Sequence, residues 1–265
     1  MTEDDLRLTV LGCRGSMAVS RKGREIFGGS TSCYMVRAGA ETVFLDAGSG
    51  LLAAPEAFPA TPHILLSHLH LDHLIGLGMF QRLSQKAAET VIHIPTPAGH
   101  DPAALLDAVY GPPFWPVTLR EYAGSLLILP LSLPLETGEL RVEGIPGSHP
   151  GESVLMKLSF RGKSLVYATD YEYEQRSFDR LAELAQGTDL LLYDGQYSEA
   201  EQEKRPGFGH STPEKGLELM ERCGAKRLLL IHHDPNRTDA QLLDKEARIG
   251  RENVRFAREG EEILL

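Results

Sequence analysis

Cysteine, basic charge and long apolar runs are all scarce in this chain, and each shortage excludes something. Its 265 residues hold three cysteines, Cys13, Cys33 and Cys223, odd in number and far apart. They form neither a C-x-x-C metal pair nor a disulfide framework, and they read as buried free thiols in a reducing compartment. The 27 Lys and Arg against 37 Asp and Glu leave a formal net charge of −10. A protein devoted to long nucleic acid would carry a basic footprint, so that class is disfavoured. A small phosphorylated ligand is not excluded, because metal ions can supply local positive charge inside an acidic protein. No apolar stretch approaches the ~20 residues of a membrane span. The acidic start Met1-Thr2-Glu3-Asp4-Asp5 is no signal peptide. A cytoplasmic protein with no membrane partner is expected. No linker, repeat or low-complexity segment divides the sequence, so one domain over 1–265 is the simplest organisation.

What the chain does have is a succession of short apolar runs rich in Val, Ile, Leu and Tyr. Leu6–Leu11, Ser32–Val36, Thr42–Leu45, His63–Leu66 and Val91–Ile94 read as strands. So do Leu126–Leu129, Leu140–Gly144, Val154–Phe160, Ser164–Ala168, Leu190–Tyr193 and Leu228–Ile231, with Arg161-Gly162-Lys163 as a hairpin turn. Helices are expected over Leu74–Lys86, Ala103–Val109, Phe178–Ala185 and Ala240–Ile249. Another starts at Ser211-Thr212-Pro213-Glu214, with a hydroxyl cap and an early proline, and ends near Cys223 before Gly224. The loop Gly111-Pro112-Pro113-Phe114-Trp115-Pro116 carries the only tryptophan. With Tyr110 it reads either as a platform for a base or ribose or as a small satellite core.

The densest chemistry lies in His68-Leu69-His70-Leu71-Asp72-His73, three imidazoles and one carboxylate directly after an apolar run. Imidazole nitrogen and aspartate oxygen suit zinc and its first-row neighbours. Alternation in extended chain points His68 and His70 the same way, so they can share one metal, while Asp72 and His73 can serve a second. Further candidates stand where strands end: Asp46 after Val43-Phe44-Leu45, His149 in Gly147-Ser148-His149-Pro150-Gly151, Asp170 after Ala168-Thr169, and His232-His233 after Ile231. His210 lies in Gly209-His210-Ser211-Thr212, just before a helix start.

In this order the motifs resemble those of the metallo-β-lactamase fold superfamily, over almost the whole chain. The resemblance implies an α/β four-layer αββα sandwich and two divalent metal ions, with zinc the first expectation and manganese or iron alternatives. It assigns His68, His70 and His149 to one ion, Asp72, His73 and His232 to the other, and Asp170 to both. Asp46 is implied to orient a ligand imidazole, with a turn-capping role as its plain alternative. The family ligand sits at the strand end, which favours His232 over His233.

The superfamily does not fix the reaction. Common zinc β-lactamases carry Arg where this chain has His73, and the H-x-E-x-D pattern of the di-iron flavoprotein branch is absent. Glyoxalase II and lactonases share H-x-H-x-D-H, so thioester or lactone hydrolysis stays open. Gly209-His210-Ser211-Thr212 resembles the motif of the phosphodiesterase branch, which includes ribonuclease Z and cyclic-nucleotide phosphodiesterases. There the histidine contacts phosphate and can protonate the leaving group. The expected activity is therefore hydrolysis of a small phosphodiester such as a cyclic nucleotide. A metal-bridging hydroxide would be the nucleophile, His210 the acid or phosphate contact, and Asp72 and Asp46 the supporting carboxylates. A ribonuclease Z-like role is the weaker alternative, since no basic Gly/Pro-rich arm is found. Gly-rich turns at Gly12-Cys13-Arg14-Gly15-Ser16 and Gly28-Gly29-Ser30 make Arg14 and Ser30 further substrate-contact candidates. On oligomeric state the sequence is silent, and a homodimer is the general prior.

Overall fold

The computed structural model describes residues 5–265. Its strands are β1 (Leu6–Gly12), β2 (Cys33–Ala38), β3 (Glu41–Leu45), β4 (His63–Leu65), β5 (Glu89–Ile94), β6 (Ser125–Pro130), β7 (Leu135–Thr137), β8 (Leu140–Pro146), β9 (Val154–Phe160), β10 (Lys163–Ala168), β11 (Leu190–Asp194), β12 (Leu228–Ile231), β13 (Val254–Phe256) and β14 (Glu262–Leu264). The helices are α1 (Pro102–Asp107), α2 (Gln175–Leu184), α3 (Glu199–Gln202), α4 (Pro213–Cys223) and α5 (Asp239–Ile249). Two seven-stranded sheets form, ordered β14-β1-β2-β3-β4-β5-β6 and β13-β12-β11-β10-β9-β8-β7.

The layering follows from side-chain alternation along each strand. Leu6, Leu8 and Val10 of the first sheet and Leu165, Tyr167, Leu190, Leu192, Leu229 and Ile231 of the second meet in the central core. Their neighbours Val166, Ala168, Leu191, Tyr193, Leu228 and Leu230 point outward and are covered by α2, α4 and α5. On the other outer face, Phe44, Ile64, Leu66, Ile92 and Ile94 pack under α1 and a series of short turns. The result is the four-layer αββα sandwich. Helix α4 begins at Thr212, whose side chain accepts from the Lys215 N–H, and stops at Gly224 in the left-handed conformation at φ 68°. The hairpin turn at Arg161-Gly162 has both residues at positive φ, 46° and 79°.

Two expectations change. The helix expected over Leu74–Lys86 is replaced by separate 3₁₀ turns at Leu71–His73, Leu77–Met79 and Gln81–Ser84. Gly76 and Gly78 weaken a helix here. The chain also lies so close to its neighbours that a Cβ at Gly76 would fall 2.2 Å from the Gly48 carbonyl oxygen. Strands β7, β13 and β14 carry no sequence expectation: each has three residues and sits at a sheet edge.

The loop between β1 and β2 is pinned from below by Arg14, which is fully buried. Its Nε donates to the Gly28 carbonyl at 2.8 Å, and Nη1 donates to the carbonyls of Asp234 and Arg237 at 3.2 and 3.1 Å. Ser30 is likewise engaged, its Oγ donating to Glu259 at 3.0 Å. Both side chains are taken up by protein partners. Both hold the loops that flank the strand ends. Arg14→Met strands three carbonyls and should lower stability by about 3 kcal/mol in urea unfolding. A loss below ~1 kcal/mol together with a raised KM for a phosphodiester would return Arg14 to the substrate.

Candidate metal centre

Strand ends deliver the site. Asp46 follows β3, the His68–His73 segment follows β4, His149 follows β8, Asp170 follows β10, Asp194 closes β11 and His232 follows β12. Ligand sites of layered α/β folds gather at such carboxyl ends. Asp46, Asp170 and His232 adopt left-handed backbone, with φ of 61°, 49° and 59°. Non-glycine residues rarely hold that conformation except where surrounding structure imposes it, and such residues cluster at functional sites.

The ligand atoms fall into two groups that meet at one carboxylate. In the first, His149 Nε2 lies 3.1 Å from His70 Nδ1 and 3.7 Å from Asp170 Oδ1, and His68 Nε2 lies 3.8 Å from the same oxygen. In the second, His73 Nε2 is 3.2 Å from both Asp72 Oδ2 and Asp170 Oδ2, and His232 Nε2 is 3.3 Å from the same two oxygens. Asp170 thus turns one oxygen to each group. A tetrahedral ion with bonds of 2.0–2.2 Å requires ligand atoms about 3.3–3.6 Å apart, and the 3.2–3.3 Å spacings of the second group lie at the short edge of that range. The Nε2 atoms of His68 and His73 are buried without a hydrogen-bond partner. Buried polar atoms are seldom left so, and a cation between these groups would satisfy them. The cluster is able to hold metal.

In four of the five ligand imidazoles the other ring nitrogen is engaged, which fixes the nitrogen that faces the centre. Asp46, fully buried, accepts from His73 Nδ1–H at 2.7 Å, Tyr167 Oη–H at 2.6 Å, and the Ser67 N–H and Oγ–H at 2.6 and 2.8 Å. Ser67 Oγ in turn accepts from His68 Nδ1–H at 3.0 Å. His149 Nδ1–H donates to the Gly209 carbonyl at 2.9 Å, and His232 Nδ1–H to Gln196 Oε1 at 2.7 Å. Each bond leaves Nε2 with its lone pair toward the centre, the usual way a partner orients a ligating imidazole. The Ser16 N–H adds a 2.7 Å bond to Asp72 Oδ2. Space is reserved by glycine: a Cβ at Gly15 would fall 2.3 Å from the His232 ring, and one at Gly209 2.0 Å from His149.

Electrostatics divide the rings. Burial pushes His68 and His149 below the ordinary histidine range, so they stay neutral. Burial also works against protonating His73 and His232, but the carboxylates win. Asp170, Asp46 and Asp72 hold His73 well above its ordinary value, and Asp170, Asp72 and Asp194 raise His232 to about 9. Burial alone would raise Asp170 and Asp72. His232 and His73 nevertheless hold Asp170 well below the carboxylate range, and His73 and His232 do the same for Asp72.

His210 stands beside this centre, its ring stacked on His232 at 4.9 Å and edge-on to His149 at 5.4 Å. Its Nδ1–H donates to Asp194 Oδ2 at 2.9 Å. Asp194, fully buried, also accepts the N–H groups of Gln196 and Ser211. Asp194, Gln196 and Tyr167 are absent from the sequence expectations. Asp194 ends the apolar run Leu190-Leu191-Leu192-Tyr193 just as Asp46 ends Val43-Phe44-Leu45, so the signal was there. Asp46 itself sits behind His73 and Ser67 and positions ligands instead of facing the opening. His233 turns away, donating to the Ala257 carbonyl at 2.8 Å between Phe27 and Phe256. Tyr110 and Trp115 pack in the outer core around Gly78, while Phe114 is exposed. The satellite-core reading therefore describes Tyr110 and Trp115.

Residues 41–233 match the family described as Beta-lactamase superfamily domain. The chain belongs to this superfamily. Among relatives, the uncharacterized protein Rv1339 of Mycobacterium tuberculosis is 29% identical over 253 residues, covering 87% of this chain and 81% of that protein. A ribonuclease Z of Ignicoccus hospitalis is 25% identical over 248 residues, covering 77% and 82%. In fold, a structure described as a new diphosphatase from the PhnP family superposes with a TM-score of 0.72 at 18% identity, covering 97% of each chain.

Two measurements test the centre. Asp46→Asn places an amide NH₂ among four donors and should weaken metal retention about 10–100-fold in equilibrium dialysis against a chelator. Equal retention would refute the orienting role. Because His232 titrates at about 9 in the metal-free protein, it carries a proton at pH 7 that a cation must displace. Its raised value stabilises the metal-free fold fully below 6.5, and that contribution is lost as pH rises through about 9. Calorimetric metal titrations in buffers of different ionisation enthalpy should show proton release at pH 7 that declines toward pH 9 and above. Binding without proton release at pH 7 would contradict the assignment.

Proposed function

We propose that the protein is a dinuclear metal-dependent hydrolase acting as a phosphodiesterase on a small phosphodiester. His68, His70, His149 and one Asp170 oxygen would hold one ion. Asp72, His73, His232 and the other Asp170 oxygen would hold the second. When bound, two divalent ions supply Lewis acidity and lower the pKa of water toward ~7. Zinc is the first candidate, with manganese or iron also compatible with a His/Asp donor set.

The observation that carries the phosphodiesterase reading is the Asp194–His210 pair at the edge of the centre. Asp194 accepts the Nδ1 proton, so Nε2 is the atom His210 offers to a substrate oxygen. As a phosphate donor that atom stabilises negative charge. As an acid, the imidazolium form passes its Nε2 proton to the departing oxygen while Nδ1–H stays on Asp194, and Nε2 regains a proton from solvent before the next turnover. Two ions would bring four positive charges directly against the carboxylates of Asp72 and Asp170, with Asp46 and Asp194 set behind the histidines. Relatives named ribonuclease Z and diphosphatase carry names for cleavage at phosphorus–oxygen bonds, which supports the same class. The net charge of −10 favours a small substrate over a long RNA.

Metal-loaded protein should hydrolyse bis(p-nitrophenyl) phosphate. His210→Ala should lower kcat about 10²–10⁴-fold with both ions retained by metal analysis, and Asp194→Asn should lower it in the same direction. Full turnover in His210→Ala would remove the role, and hydrolysis of thioesters or lactones without any phosphodiester cleavage would move the protein to the carboxyl-hydrolase branch.

A further inference from the structure

Outside the metal centre, α4, α5 and the start of α3 enclose a cavity of about 420 Å³, within the usual range for small-molecule sites. Its apolar side is made by Pro213, Leu217 and Ile249, the last two packed against the outer core. Its charged side chains are Lys245, Arg248, Arg251 and Glu214. None of them belongs to the ligand cluster.

Three cations against one carboxylate are the reverse of the chain as a whole, whose net charge is −10. Lys245 carries the argument. Its ammonium is buried and has neither a hydrogen bond nor an ion pair among the described residues. Two carboxylates near it are committed elsewhere, Glu201 to Arg237 and Ser198, and Asp234 to the Asn236 N–H. Burial, with Arg237 close by, pulls the ammonium below the ordinary lysine value, and these carboxylates do not offset it. Buried polar groups are seldom left unpaired, and an isolated ammonium is among the costliest of them. A short swing of its flexible stem brings this one to an anion in the cavity. Arg248 and Arg251 are paired with Asp244 and Glu221 at 2.7 and 2.6 Å. Both pairs are exposed, and such pairs hold weakly enough to be exchanged for a phosphate.

The cavity also borders the segment that carries His210. Ser198 and Pro213, both in its lining, flank residues 199–212 at the two ends. Between them, Ser198 Oγ donates to Glu201 at 2.7 Å to cap α3, and Gln202 Nε2 donates to the His210 carbonyl at 3.1 Å. We infer that the cavity is an effector site for a small, ring-bearing organic phosphomonoester. The phosphate lies on Lys245, Arg248 and Arg251, and the ring covers Leu217 and Ile249. Bound there, the ligand holds both ends of the His210 segment. The inference concerns this cavity and that segment, and it stands whichever bond the metal centre breaks.

The test uses chelator-stripped full-length protein, so that no metal competes for phosphate. Calorimetry should show one site for 5′-AMP or phenyl phosphate, with adenosine and inorganic phosphate each about tenfold weaker. Lys245→Met should weaken the bound monoester about tenfold, and so should Arg248→Glu, an exposed position that does not endanger the fold. His210→Ala should leave the affinity unchanged, because the ligand lies outside the centre. The bound monoester should also slow amide hydrogen exchange across 199–212. Neither monoester bound, binding that both cavity variants leave intact, or binding that His210→Ala abolishes would overturn the inference. So would exchange over 199–212 that the ligand leaves unchanged.

Discussion

Four carboxylates, Asp46, Asp72, Asp170 and Asp194, converge at one end of the sandwich, and among the described residues no lysine or arginine pairs with any of them. Among the described residues, histidines are the partners able to carry positive charge. Burying anions without cations is among the costliest arrangements a fold can hold. In the metal-free protein the cost is met by drawing protons onto His73 and His232. Those protons occupy the Nε2 positions that a cation would take. The centre is therefore a place where protons and metal compete, and the surrounding architecture keeps that competition in a fixed geometry.

The fixing is done by backbone as much as by side chains. Asp46, Asp170 and His232 each turn out of a strand through a left-handed residue, which aims the side chain across the sheet end instead of along the strand direction. Glycines at 15 and 209 leave room for the His232 and His149 rings, and larger residues there would collide with them. Tyr167 reaches from the central core to Asp46, so the support of a site histidine is continuous with the packing between the sheets. Loss of packing in that core would loosen the centre even with every polar residue intact.

Most of this was legible in the sequence for a simple reason. Apolar runs that end in Asp or His mark strand ends, and strand ends of layered folds face one site. The convergence of His68, His70, Asp72, His73, His149, Asp170 and His232 at one sheet end follows from that rule, whereas the αββα layering came from the resemblance of their motifs to a known family. Asp194 obeys it too, but its run ends in an unremarkable Gly195-Gln196, with no histidine nearby to draw notice. Sequence alone does not place Arg14, because a Gly-rich loop with an arginine looks the same whether the guanidinium faces an anion or three backbone carbonyls. Apolar spacing after His73 predicts a helix where the chain makes 3₁₀ turns, because spacing does not register how closely Gly76 approaches Gly48. Contacts between segments distant in sequence decide all three cases.

One such contact ties metal support to reaction chemistry. Glu172, two residues beyond Asp170, accepts the N–H groups of Gly207 and Gly209 at 2.8 Å each, and its own N–H donates to the Ser148 carbonyl. The loop it holds presents the Gly209 carbonyl to His149 and places His210 on Asp194 in the next position. A shift of that loop would release the tautomer of a metal-facing histidine and displace the proposed acid together. The two functions cannot be tuned separately through this segment. The Asp170 segment therefore does more than bridge the two ligand groups, since through Glu172 it also sets where the proton donor stands relative to them.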